Sequence, residues 1–131
     1  MVGMVIVSHM VSIADGVRDM AQKMAPKVKI IAAGGAPDGS FGTDSAKICK
    51  AIEEADNGTD GVVVITDVGS SVISAGLAIE GLPMALHRRV RVADAPILEG
   101  AVAAAAEAGK NSDVDTVLKA AEAAKGISKK S

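Results

Sequence analysis

Val62-Val63-Val64-Ile65-Thr66 constrains the fold more than any other stretch of this chain. Every residue in it is β-branched, none is charged, and no apolar-polar alternation runs through it. A strand of that kind has to be covered on both faces, and doubly covered strands belong to parallel sheets. Gly3-Met4-Val5-Ile6-Val7-Ser8 is a second charge-free run of the same character. Parallel neighbours need long crossovers, and helices normally supply them.

The segments between such runs have helical spacing. Ile13 to Ala25 carries Ile13, Val17, Met20, Ala21 and Met24 on a 3.6-residue period, and Pro26 ends it. Val28-Lys29-Ile30-Ile31-Ala32 reads as a second strand, followed by a glycine-rich loop from Gly34 to Gly42. Thr43 is placed to cap a helix running to about Ala55, with Ala46, Ile48, Cys49 and Ile52 facing inward. After the Val62–Thr66 strand, Gly69-Ser70-Ser71 opens a helix containing Val72, Ile73, Leu77 and Ile79. A short helical turn follows Pro83. Val90-Arg91-Val92-Ala93 reads as an edge strand because of its charge. Two further helices span Leu98 to Ala108 and Val114 to Ala124, and residues 126–131 are expected to fray.

This alternation predicts a single α/β domain over residues 1–131: a three-layer sandwich around a mainly parallel sheet of order 2-1-3-4, the flavodoxin-like topology. In that order the connections after strands 1 and 3 leave to opposite faces. A crevice then opens between the C-terminal ends of those strands, where such folds bind ligands.

The residues at the two strand ends carry the functional signal. Strand 1 ends in Ser8-His9, and strand 3 ends in Thr66-Asp67 before Val68-Gly69-Ser70-Ser71. A neutral imidazole is a competent nucleophile near neutral pH. A carboxylate accepting a hydrogen bond from one ring nitrogen frees the other to attack. Backbone N–H groups around Gly69, with the Ser70 and Ser71 hydroxyls, would hold phosphoryl oxygens.

Blander roles compete for the same residues. A His after a strand is more often structural, and Asp67 taken alone could be a helix cap. It is the conjunction at a switch point that favours function. His87, beside Arg88 and Arg89, reads as a surface residue, and Cys49 as packing. The Gly34–Gly42 loop lacks the Lys-Ser/Thr ending of a nucleotide-binding P-loop. Glu53-Glu54 and Lys129-Lys130 read as solvated charge.

Composition narrows the classes further. A net charge of −2 offers no basic surface for nucleic acid, and a single Phe with no Tyr or Trp offers no stacking platform for bases or sugars. One Cys excludes an internal disulfide, and two His make a multi-histidine metal site improbable. No targeting or membrane-spanning segment is visible, so a reducing cytoplasm is expected.

At these residues the chain resembles the mannose-type enzyme IIA domains of the bacterial phosphotransferase system, and within them the branch that serves dihydroxyacetone kinase. Val5-Ile6-Val7-Ser8-His9, Ile13-Ala14-Asp15-Gly16-Val17, Gly42-Thr43-Asp44, Thr66-Asp67-Val68-Gly69-Ser70-Ser71 and Ala95-Pro96-Ile97-Leu98-Glu99-Gly100 carry the likeness in order along the chain. The sugar-transport branch usually has a Gly-Gly-Ser/Thr-Pro pattern after the Asp; Val68-Gly69-Ser70-Ser71 is similar to the dihydroxyacetone branch instead. Met10 departs from the small polar residue expected after the His.

The resemblance implies that His9 is phosphorylated on Nε2 and supported by Asp67. The phosphocarrier HPr would be the donor. ADP on the DhaL kinase subunit, working with DhaK, would be the acceptor. It implies no metal or nucleotide of the chain's own, and a homodimer as the typical assembly. Because the sequence ends after this segment, separate carrier proteins are expected to serve it. Met10 and Val11, an apolar pair beside His9, are expected to form part of the docking face. The competing readings are an enzyme IIA passing phosphate to a mannose-type IIB domain, a non-enzymatic flavodoxin-like binding module, and a small hydrolase. The last is disfavoured because no Ser stands in a nucleophile-elbow context.

Overall fold

The computed structural model describes residues 1–130, so the part of the expected fray at Ser131 lies outside the described residues. Four strands, β1 (Gly3–Ser8), β2 (Ile30–Gly34), β3 (Val62–Thr66) and β4 (Val90–Ala93), form one parallel sheet in the order β2-β1-β3-β4. Val5 pairs with Ile31 on one side and Val64 on the other. The central strands β1 and β3 are buried along their whole length, whereas β2 and β4 are partly exposed. The charge-free runs therefore occupy the positions where a charge would be costliest.

Helices α1 (Val11–Met24), α5 (Ile97–Gly109) and α6 (Val114–Ala123) cover one face. Helices α2 (Ser45–Ala55), α3 (Gly69–Glu80) and the single turn α4 (Met84–His87) cover the other. Alternate residues of β1 divide between the two cores: Met4 and Ile6 pack toward α1 and α5, Val5 and Val7 toward α2 and α3. Ala101, Ala104, Ala105 and Ala108 let α5 lie close to the sheet and to α6. Among the described residues, no helix is long and apolar enough to cross a membrane.

Several sequence expectations shift in detail. β2 begins at Ile30, two positions later than the apolar run, because Val28 closes a turn onto Ala25 and its carbonyl accepts from Gln22 Nε2 at 2.7 Å. Asp44, not Thr43, caps α2 by accepting from the N–H groups of Ala46 and Lys47, and Thr43 instead meets Ser74 Oγ at 2.6 Å. Within α2 it is Ile48, Ala51, Ile52 and Ala55 that are buried; Ala46 faces solvent and Cys49 is half-buried. α1 rests on Ala14, Val17 and Ala21, leaving Ile13, Met20 and Met24 exposed. α3 likewise buries Ser71, Ala75 and Ala78, so Val72, Ile73 and Leu77 point outward. Both helices use small residues for a close approach to the sheet and leave their larger side chains outside.

One tight passage positions the site. At Gly34, the last residue of β2, an added Cβ would lie 2.8 Å from the Ala14 Cβ and 2.8 Å from the Val11 Cα. Only Gly lets β2 end flush against the start of α1 and send the following loop over the end of β1.

Candidate functional site

β1 and β3 are adjacent, and their C-terminal ends bring His9 and Asp67 together across a sequence separation of 58 residues. His9 Nδ1 lies 3.0 Å from Asp67 Oδ1 and 3.2 Å from Oδ2. The same carboxylate accepts from the His9 backbone N–H at 2.9 Å and from the Ser8 hydroxyl at 2.9 Å. Ser8 Oγ in turn accepts from the Met10 N–H at 3.1 Å. The turn from β1 into α1 is thus wound around Asp67.

Burial alone pushes the Asp67 carboxyl up, but the hydrogen bonds from the His9 and Val68 N–H groups and the Ser8 hydroxyl outweigh it, and the pKa falls to about 2. The Ser71 hydroxyl is close enough to add to this, although its hydrogen bond is given to the Val68 carbonyl at 2.6 Å. Asp67 is therefore ionised near neutral pH, and an ionised carboxylate can only accept. Nδ1 must carry the hydrogen shared with it, which leaves Nε2 with a lone pair. Ser70 Oγ lies 2.6 Å from Nε2 and donates to it.

α3 starts without a side-chain cap at Val68, and the N–H groups of Gly69 and Ser70 have no acceptor among the described residues. They sit at the positive end of the helix, beside the ring nitrogen that carries the lone pair. Ser71, expected beside Ser70 as a second hydroxyl donor, is fully buried and committed to Val68, so Ser70 is the serine whose hydroxyl meets the ring. Met10 and Val11 are exposed on the rim.

Two features were missed by sequence reasoning. The His9 side chain is only 11% exposed, although an exposed residue is what a protein-to-protein carrier suggests. Phe41 stands beside it, with its ring centroid 5.3 Å from that of His9 and an interplanar angle of 30°. Gly42, with φ of +143°, donates its N–H to the His9 carbonyl at 2.9 Å and fixes the loop there. The available signal was that the chain's single Phe stands in a polar glycine-rich loop, where an aromatic has no core to join.

Other candidates lie elsewhere. His87 is at the opposite end of the sheet, in the turn before β4, with Nδ1 3.1 Å from the Ile79 carbonyl. Burial pushes the Cys49 thiol up, and its hydrogen bond to Glu53 does the same, so it is a poor nucleophile.

The family described as the PTS system fructose IIA component, the mannose-type enzyme IIA, matches residues 3–118. The chain belongs to that enzyme IIA family. Among curated relatives of this enzyme IIA chain, the PEP-dependent dihydroxyacetone kinase phosphoryl donor subunit DhaM of Pantoea ananatis is 38% identical over 122 residues. That alignment covers 90% of this chain but 26% of the relative, so the chain spans about a quarter of its length. The phosphoryl donor subunit DhaM of PEP-dependent dihydroxyacetone kinase 2 from Listeria innocua is 34% identical, with 90% of this chain and 94% of the relative aligned. The crystal structure of the unknown function protein EF1359 superposes with a TM-score of 0.82 at 36% identity, covering 93% of this chain and 94% of that one.

Proposed function

We propose that this chain is a phosphoryl carrier that accepts phosphate on His9 Nε2 and hands it to a dihydroxyacetone kinase. The observation that carries the reading is the double restraint of one imidazole: an ionised carboxylate at Nδ1 and a hydroxyl at Nε2. The names and extent of the relatives support it.

The chemistry follows from that restraint. The Nε2 lone pair attacks the phosphorus of a donor phosphohistidine on HPr. The donor's N–P bond breaks as the Nε2–P bond forms. Nδ1 keeps its hydrogen, so the phosphorylated ring carries a positive charge that faces the Asp67 carboxylate. Ser70 Oγ, now 2.6 Å from Nε2, stands where phosphorus must arrive. It has to rotate aside, after which its O–H and the Gly69 and Ser70 N–H groups can donate to phosphoryl oxygens. In transfer to ADP on DhaL, with DhaK holding dihydroxyacetone, a β-phosphate oxygen of ADP bonds to phosphorus as the Nε2–P bond breaks and its electron pair returns to Nε2. His9 is the nucleophile in acceptance and the leaving group in transfer, and the chain needs no nucleotide of its own.

Met10 and Val11, with Val68 and Phe41 across the site, make an uncharged rim suited to brief docking of HPr and DhaL in the cytoplasm. A homodimer is compatible with the further apolar surface on α3.

The test is acceptor choice. Protein phosphorylated through enzyme I, HPr and phosphoenolpyruvate is offered to DhaL–ADP and, separately, to a mannose-type IIB domain. Fast ATP formation with DhaL and little transfer to IIB is expected. The reverse preference would assign the chain to sugar transport while leaving the phosphohistidine chemistry intact. No uptake at all by the wild-type protein would remove the carrier reading.

A further inference from the structure

We propose that Phe41 is a displaceable cover over His9, which shields the imidazole from water and small reagents until a protein partner moves it aside. The inference rests on the carrier reading for its purpose, but the cover itself can be tested without it.

Three groups surround the His9 ring. Asp67 occupies the Nδ1 edge, Ser70 occupies the Nε2 edge, and the Phe41 ring stands tilted by 30° with its centroid 5.3 Å from that of the imidazole. Phe41 is nonetheless 75% exposed, so it is not a core residue that happens to touch His9. An aromatic ring left mostly in water gains little from burial, and its contact with the imidazole is what the position provides.

The loop that carries Phe41 is built to hold it. Lys47 Nζ donates to the Gly34 and Ala36 carbonyls at 3.1 and 2.7 Å, tying the loop's first residues to α2. Ala36 and Ser40 are joined by a backbone hydrogen bond at 2.8 Å, and Asp38 accepts from the Ser40 N–H and hydroxyl. Beyond Phe41, Gly42 is bound to the His9 carbonyl. The tether is firm on either side of Phe41, whereas the ring's outer surface is free. A partner seated on the apolar rim would therefore meet Phe41 first and could turn its side chain without unfolding the loop.

Such a cover has a chemical purpose. In the wasteful reaction, water oxygen bonds to phosphorus, the Nε2–P bond breaks with its electron pair returning to Nε2, and dihydrogen phosphate leaves a neutral ring. A carrier gains by slowing this step while leaving transfer to a protein unhindered. An apolar ring does so because it offers an approaching water no hydrogen bond.

The experiment compares wild type with Phe41→Ala, Phe41→Leu and Phe41→Tyr. In the unphosphorylated proteins, diethyl pyrocarbonate modification is followed by peptide mass at His9, with His87 as the internal reference. Phe41→Ala is expected to raise the His9-to-His87 ratio by about two- to tenfold, the range a single ring contact sustains. Phe41→Tyr should restore the wild-type ratio and Phe41→Leu should lie between. An unchanged ratio in Phe41→Ala overturns the cover, whether or not His9 carries phosphate. In phosphorylated proteins freed of donor, Phe41→Ala is expected to release inorganic phosphate faster by a similar factor. Release at the wild-type rate overturns the protective role. If wild-type His9 takes up no phosphate, the carrier reading and the protective purpose fail together, and the reagent ratio alone then decides whether Phe41 covers the ring.

Discussion

Each end of the sheet holds a carboxylate below its ordinary pKa, and the two are held there by different means. At the N-terminal end, Arg89 hydrogen bonds hold Asp56 down: the guanidinium makes a two-pronged pair at 3.1 and 2.7 Å. At the C-terminal end, Asp67 is held by N–H and hydroxyl groups, and its ion-pair partner is an imidazole that is charged only when protonated. Asp56 is neutralised in place by a permanent cation and has nothing left to give. Asp67 keeps an uncompensated charge, stabilised by dipoles, which can answer a positive charge when one appears on His9. Under the proposed function, the same side chain serves as a clamp at one end and as a charge reserve at the other.

The largest expected difference is in phosphoryl acceptance. Asp67→Asn should slow uptake from phosphorylated HPr by roughly 10²-fold or more, as loss of an orienting group does elsewhere. Asp56→Asn should leave that rate within experimental scatter. Equal slowing in both would mean that Asp67 acts through general stability, and the comparison would fail.

Stability should separate the two variants far less. Asp56→Asn leaves Arg89 without its partner near the start of β4 and should lower unfolding stability by roughly 1 kcal/mol, between exposed and buried ion pairs. Denaturant titration of both variants checks this.

The smallest effect is a pH signature. The folded Asp67 pKa of about 2 lies below the ordinary 3.8, so its contribution is complete above the ordinary value and lost as pH falls through about 2. The stability gap between wild type and Asp67→Asn should be flat above about pH 5 and shrink below about pH 4. With solvent screening allowed for, the change is on the order of 1 kcal/mol. A gap that instead changes between about pH 6 and 8 would assign the linkage to a group other than Asp67.

The sheet was legible because its signal is chemical exclusion. Charge-free β-branched runs can only be central strands, and their spacing leaves few topologies. Once the order was fixed, His9 and Asp67 had to meet, since each is the next residue after a central strand. What the sequence concealed was direction on the helices. α3 looks apolar throughout, and nothing in its spacing announces that Ala75 and Ala78 face inward while Ile73 is 68% exposed. Ser70 and Ser71 are likewise interchangeable as letters. The helix start turns one toward Nε2 and the other into the protein. Phe41 was hidden because a loop's path depends on tethers such as Lys47 to Gly34 that no periodicity records.

The central claim concerns one nitrogen, and nitrogen-15 NMR reads it directly. Protein labelled at histidine is phosphorylated with enzyme I, HPr and phosphoenolpyruvate, and long-range proton–nitrogen spectra are recorded with and without phosphorus decoupling. Phosphorus coupling is expected at Nε2 of His9, with Nδ1 still protonated beside Asp67 and the His87 signals unmoved. Phosphorus coupling at Nδ1 of His9, or at either nitrogen of His87, would contradict it.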